Sequence, residues 1–161
     1  MIPLVFIAGY SNSGKTTVAE NLVRSLKSRG YRVAVIKHAS HGYISDPQGK
    51  DSWRYYKAMA DSVVVAGPES YTVHRRCLQR PGLNDILKET KNVDIVIVEG
   101  FKSEAGPKIE VYRKYNNQIR LPEESNVVAV VSDIPLKENV PSFSFDEVEE
   151  LSEYVIEKFL A

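Results

Sequence analysis

Apolar residues along the chain fall into short runs separated by polar, turn-forming stretches. Leu4–Ala8 is apolar throughout, the pattern of a strand buried on both faces. The period then changes. Across Thr16–Ser28, Val18, Leu22 and Leu26 recur along one helical face, and Gly30 supplies a stop. Tyr31–Ile36 reads as a second strand. This strand–helix–strand order predicts a parallel pair joined by a right-handed crossover.

The next elements are shorter. His38–Gln48 is rich in Ser, Gly, His and Pro and reads as a long loop. Lys50–Ala60 places Trp53, Tyr56, Lys57 and Ala60 at helical spacing. Ser62–Ala66, a turn at Gly67–Ser70 and Tyr71–Arg76 predict a β-hairpin. Leu83–Glu89 reads as a short helix, Asp94–Val98 as an apolar strand, and Ile109–Arg113 as an alternating one. Val127–Val131 is the last strongly buried strand. Lys102–Lys108 and Lys114–Ser125 are polar connections. A final helix is expected from Asp146, with Glu149 three residues on as a capping box and Val148, Leu151, Val155 and Phe159 as its buried stripe. Together these elements predict one α/β domain over residues 1–161. The expected architecture is a P-loop NTPase-like three-layer fold, a mostly parallel central sheet flanked by helices with a β-hairpin extension.

Composition narrows the partners. Twenty-one Lys and Arg balance 21 Asp and Glu in 161 residues, which argues against general nucleic-acid binding. The apolar run Ile2–Ala8 is too short to cross a bilayer, and a membrane association is not expected. Cys77 is the single cysteine, so no intramolecular disulfide forms, and a reducing, cytoplasmic setting is the simplest expectation.

The candidate chemistry begins directly after the first strand. Gly9-Tyr10-Ser11-Asn12-Ser13-Gly14-Lys15-Thr16 fits the phosphate-loop pattern G-x-x-x-x-G-K-[ST], set between an apolar strand and an amphipathic helix. Gly9 and Gly14 permit the backbone turns that aim successive amides inward. Lys15 is expected to meet the outer phosphates and Thr16 a magnesium ion, while the helix N-terminus adds its free amides and dipole. Lys15 and Glu99 are the expected catalytic pair. Glu99 ends the run Asp94–Val98 ahead of Gly100, where a carboxylate binds metal or orients water. Asp94 is expected to be a surface or capping residue.

Other polar residues have open readings. Asp51, in Gly49-Lys50-Asp51-Ser52, is either a further metal ligand or a helix cap. Lys37 and His38 end the second strand, and open α/β sheets bind ligands at such strand ends. Lys37 is therefore expected to face the same crevice as Lys15 and to meet either a phosphate or an acidic second ligand. His38 and His41 are read as hydrogen-bonding side chains of a polar loop more readily than as zinc ligands, for which no third ligand at recognisable spacing exists. Asp133, after the last buried strand, either reads a guanine edge or begins the turn at Pro135.

Five ordered clusters carry a family resemblance: Gly9–Thr17, Ile36–His38, Gly49–Ser52, Val98–Lys102 and Val131–Pro135. Together they resemble MobB, the GTP-binding family of molybdopterin-guanine dinucleotide biosynthesis. The resemblance implies binding of GTP and Mg2+ by Gly9, Ser11, Asn12, Ser13, Gly14, Lys15, Thr16 and Thr17. It further implies weak hydrolysis, homodimerisation, and assistance to a MobA-type nucleotidyltransferase, with molybdopterin as a second ligand. Lys108 and Arg113 match a basic strand of the family, which leaves three readings: an anionic ligand, a dimer interface, or solvated edge-strand charges. The strands Ile109–Arg113 and Tyr71–Arg76 are the candidate edges for subunit pairing. The sequence departs from common guanine readers in lacking Asn-Lys-x-Asp. An ATP-dependent enzyme, such as a dethiobiotin synthetase-like ligase or a small-molecule kinase, is the competing class, with Arg75, Arg76 and Arg80 as a weak lid candidate.

Overall fold

The computed structural model describes residues 2–39, 42–43, 46–101, 103–115 and 119–161; His41 and Lys102 lie outside the described residues. In chain order the elements are β1 (Leu4–Ala8), α1 (Lys15–Ser28), β2 (Val33–Lys37), α2 (Asp51–Lys57), β3 (Ser62–Ala66), β4 (Tyr71–Arg75), α3 (Leu83–Leu87), β5 (Ile95–Glu99), β6 (Lys108–Tyr112), β7 (Val127–Ser132), β8 (Ser142–Phe143) and α4 (Val148–Phe159). Contacts gather into two units, residues 1–38 with 86–161, and residues 39–85.

In the first unit the apolar runs become one sheet. Its order is β2-β5-β1-β6-β7-β8, and every pairing is parallel. This is the α/β architecture expected of a phosphate-loop protein. The alternation of strand side chains divides the core. Val5, Ile7, Ile95, Ile97, Ile109, Val111, Ala129 and Val131 share one cluster with Val18, Leu22 and Leu26 of α1 and Leu151 and Val155 of α4. The opposite face is just as dry: Phe6, Val96, Val98 and Val130 are fully buried. Connecting chain contributes to its cover, because Gly106 packs so close to the Phe6 ring that an added Cβ would come within 2.5 Å of it.

Several expectations change. β1 and β2 are parallel but not paired; β5 lies between them, which sets Glu99 beside both strand ends. β6 is no edge strand. It pairs with β1 on one side and β7 on the other, so it is unavailable for subunit pairing. Lys108 accordingly is a buried cation, not a solvated edge charge. Its Nζ donates to the Glu104 carbonyl at 2.6 Å, and burial pushes its pKa down. The Asp146–Glu149 capping box does not form. The chain entering α4 instead pairs Ser144 with Glu147, whose carboxylate accepts the Ser144 amide at 2.6 Å. Glu149 ties α4 to α1, accepting from Ser25 Oγ and Arg29 at 2.9 Å each. The two-residue strand β8 carries too little sequence for any period to register.

In the second unit β3 and β4 form the expected antiparallel hairpin, and α2 packs against β3. His74 stacks on Tyr56 at 4.0 Å, and the Arg76 guanidinium lies 3.9 Å from the same ring. Arg76 also donates to the Tyr56 and Ala60 carbonyls, so it braces this unit and is poorly placed to act as a lid arginine. No described helix is long and apolar enough to cross a membrane.

Candidate functional site

The carboxyl end of β1 opens directly into the Gly9–Thr16 loop, at the point where the sheet's connections diverge to either side. Two glycines make the loop possible. Gly9 has φ 151°, and a Cβ there would meet the Val111 carbonyl oxygen at 2.4 Å; Gly14 has φ 97° and caps α1 in the left-handed region. No side chain caps α1, and its first turn holds no acid. Its leading amides and dipole are thus suited to an anion. Ser13 is fully buried, and its Oγ has no hydrogen-bond partner among the described residues. Ser11 and Asn12 lie exposed at the loop tip, Asn12 with φ 61°, and Thr17 is exposed on the first turn of α1. The Lys15 ammonium donates to the Tyr10 carbonyl at 2.6 Å, folded across the loop.

Three charged or polar groups converge beside this loop. Thr16 Oγ1 donates to Glu99 Oε1 at 2.9 Å. Lys37 Nζ lies 3.2 Å from the same carboxylate oxygen and 3.3 Å from the Thr16 hydroxyl. Strand register explains the meeting, since Lys37 pairs with Glu99 across β2 and β5, and Glu99 with Ile7 across β5 and β1. A hydroxyl and a carboxylate oxygen are ligands a hard divalent cation accepts, with phosphates and water completing its shell. The ammonium already held there shows that the donors accommodate positive charge. His38 takes a different part: its amide donates to the Glu99 carbonyl at 2.9 Å and its ring stacks on Phe101 at 4.3 Å.

Asp51 belongs to the second unit, where it is exposed and 3.8 Å from Arg54. It is the first residue of α2, whose N-cap is Lys50 without a side-chain bond, so the capping alternative does not hold.

On the other side of the loop lies a cleft of about 590 Å³, bounded by Arg113, Ser132, Asp133, Phe143 and the Ser144–Glu147 segment among others. That volume is within the range of small-molecule sites. Asp133 is exposed in it. Its Oδ1 accepts the Lys114 amide at 3.0 Å, and Oδ2 has no partner among the described residues. Phe145 was not singled out by sequence reasoning, which started α4 at Asp146 with a capping box to Glu149, whereas the helix begins at Val148. The Ser144-x-x-Glu147 spacing is the signal that would have found it.

The chain is similar to known proteins in both sequence and fold. The family model described as Molybdopterin guanine dinucleotide synthesis protein B, MobB, matches residues 4–133. A molybdopterin-guanine dinucleotide biosynthesis adapter protein of Haemophilus influenzae is 35% identical over 157 residues, spanning 96% of this chain and 88% of the relative. Its counterpart in Escherichia coli is 34% identical over 165 residues, spanning 98% and 93%. Among solved structures, the crystal structure of a MobB protein homolog from Bacillus stearothermophilus superposes with a TM-score of 0.75 at 26% identity, covering 97% of each chain. By both sequence and fold, the chain belongs to the MobB family.

Proposed function

We propose that this chain is an adaptor of molybdopterin-guanine dinucleotide biosynthesis that grips GTP and magnesium at the Gly9–Thr16 loop. The observation that carries the reading is the convergence of Thr16, Glu99 and Lys37 beside a loop whose glycines and uncapped helix are arranged for phosphate. Lys15 leaves the Tyr10 carbonyl for the outer phosphates. Thr16 and Glu99 hold the magnesium, which neutralises phosphate charge when bound. Hydrolysis is slow, because neither an arginine finger nor a water-positioning glutamine can be named. The family role makes the natural partner a MobA-type nucleotidyltransferase, with molybdopterin the second ligand of the complex.

The base occupies the cleft beside the loop. Asp133 offers it a carboxylate anchored at Oδ1 with Oδ2 open, an acceptor pair that suits the two N–H donors of a guanine edge and not adenine. The subunits pair through the hairpin of the second unit. Val64 and Val73 sit directly opposite each other there and are 59% and 43% exposed. A two-stranded ribbon is marginal alone in water, and a second copy supplies its missing cover.

Calorimetry with GTP, ATP and xanthosine triphosphate tests the reading. GTP should bind more tightly than ATP, and Asp133→Asn should weaken GTP while xanthosine triphosphate gains. Equal or ATP-favouring affinity in the unsubstituted chain would turn the assignment toward an ATP-dependent enzyme of the same fold.

A further inference from the structure

One cation of this region has no part in the phosphate and metal roles assigned above. Arg113 follows β6 at its carboxyl end, next to β1 and the loop. Its guanidinium carbon lies 3.9 Å from the centre of the Phe145 ring, close enough for planar stacking. Its Nε donates to the Ser13 carbonyl inside the loop at 3.3 Å. The pair also presses on Gly14: a Cβ there would sit 3.1 Å from the Phe145 ring and 3.4 Å from Arg113 Nε. Both residues line the cleft. Nη1 and Nη2 have no hydrogen bond to any described residue, although a guanidinium carries five donors.

This placement is costly for a residue with only a packing role. A partly buried guanidinium that spends one donor out of five leaves charge and donors unsatisfied. Stacking uses the face of the plane and leaves its edge available. The stack also joins two segments far apart in sequence, the phosphate loop and the Ser144–Glu147 turn that leads into α4.

We propose that Arg113, seated on Phe145, makes the phosphate loop and the cleft a single nucleotide site. It fixes the loop at Ser13, forms the wall between loop and cleft, and presents its Nη donors to the part of the nucleotide that spans them, the sugar and innermost phosphate. Loop affinity and base affinity are thereby coupled through one side chain. The inference rests on the reading of the cleft as a base pocket.

The test compares GTP with inorganic pyrophosphate, each with magnesium, by calorimetry. Pyrophosphate fills the loop without reaching the cleft. The unsubstituted chain should bind GTP far more tightly; if it does not, the base pocket itself falls and this proposal with it. Given that preference, Arg113→Ala should weaken GTP by about tenfold or more while pyrophosphate changes by less than about threefold. Arg113→Lys should recover little, because an ammonium keeps the charge but not the stacked plane or the forked donors. Phe145→Leu, which keeps apolar bulk at the wall, should lower the GTP-to-pyrophosphate ratio in the same direction and decides the matter if Arg113→Ala does not fold. An unchanged ratio in a folded variant, or full recovery by lysine, overturns the coupling.

Discussion

The ammonium of Lys37 lies 3.2 Å from Glu99 Oε1, at the point where the Thr16 hydroxyl meets the same oxygen. Lys37 is mostly exposed, whereas the Glu99 side chain is 10% exposed, so the pair is a mobile charge resting on a fixed one. A divalent cation bound by Thr16 and Glu99 competes for that place. The two variants therefore act in opposite directions on the magnesium requirement of GTP binding. Glu99→Gln should raise the half-effective magnesium concentration by about tenfold or more. Lys37→Met should lower it by a few-fold, while weakening GTP through loss of a phosphate contact. Titrating magnesium at fixed GTP reads both, and a shift of the same sign in the two variants would sink the competition.

Lys15 tests the loop separately from the metal. Its ammonium donates to the Tyr10 carbonyl across the loop, and it is no part of the apolar core cluster. Lys15→Ala should abolish measurable GTP binding while the thermal midpoint moves by about a degree or two at most, as for other surface substitutions. A large drop in the midpoint would mean that the lysine holds the loop's shape instead of its ligand.

The contrast between these residues and the rest of the site follows from how each signal is written in sequence. The loop motif is local, eight consecutive residues whose spacing states their job, so it was legible at once. The buried strands were legible because their apolar runs are continuous. Lys37 and Glu99 were each visible as strand-end residues, but their contact depends on β5 entering between β1 and β2, which no local period encodes. Lys108 and Glu110 were hidden for the same reason: charges alternating in a strand suggest a solvated face, and only the neighbours β1 and β7 bury them. Asp94 was correctly placed at the surface, where it partners Arg32. Phe145 was missed because a two-residue strand and an irregular turn precede it.

Glu110 is the most demanding of these buried charges. It is 2% exposed, in the middle of β6, and accepts from Arg120 Nε and Nη2 at 3.0 and 2.7 Å and from the Leu121 amide at 2.7 Å. The carboxylates of Glu110 and Glu138 raise the Arg120 pKa further, so its guanidinium stays charged. Arg120→Ala should destabilise the chain by about 3 kcal/mol, because it leaves a carboxylate in the interior with one amide for company. Replacing both residues with methionine should recover most of that loss, since burying the pair carried its own desolvation cost. Denaturant midpoints of the single and double variants give the comparison, and a double variant no better than the single would show that the segment from Arg120 needs its charge.

The Asp94–Arg32 pair makes a pH prediction. Arg32 donates to both carboxylate oxygens of Asp94, Nη2 at 2.6 Å and Nε at 3.2 Å, and its amide adds a bond at 2.7 Å. The guanidinium bonds foremost, then the amide, hold the Asp94 pKa down to about 2. An unfolded aspartate titrates near ~4. The depressed value in the fold means that Asp94 stabilises fully above ~4 and loses that contribution as pH falls toward about 2. Asp94→Asn should thus melt below the unsubstituted chain at neutral pH, and the gap should close on acidification through that window. A gap independent of pH would assign the effect to packing.

The hairpin bears on assembly. Across β3 and β4, Val64 faces Val73 and Ala66 faces Tyr71, so that side of the ribbon is apolar or aromatic except at the end where Ser62 faces Arg75. Tyr71 is 72% exposed, and the unpaired backbone of each strand adds an open edge. Exposed apolar edges of this kind pair with another chain unless charge opposes it. Val64→Lys places an ammonium at the centre of that face without removing a ladder hydrogen bond, and Val73→Glu does the same from the opposite strand with the opposite sign. Each single variant should shift the sedimenting species from dimer to monomer at micromolar concentration. Mixing the two should restore a dimer if the second copy packs Val64 of one subunit near Val73 of the other, because the introduced charges then attract. GTP binding by the monomeric variants should persist, since Lys15, Thr16, Glu99 and Asp133 all belong to the other unit. Dimers that survive both substitutions would place the subunit interface elsewhere on the chain.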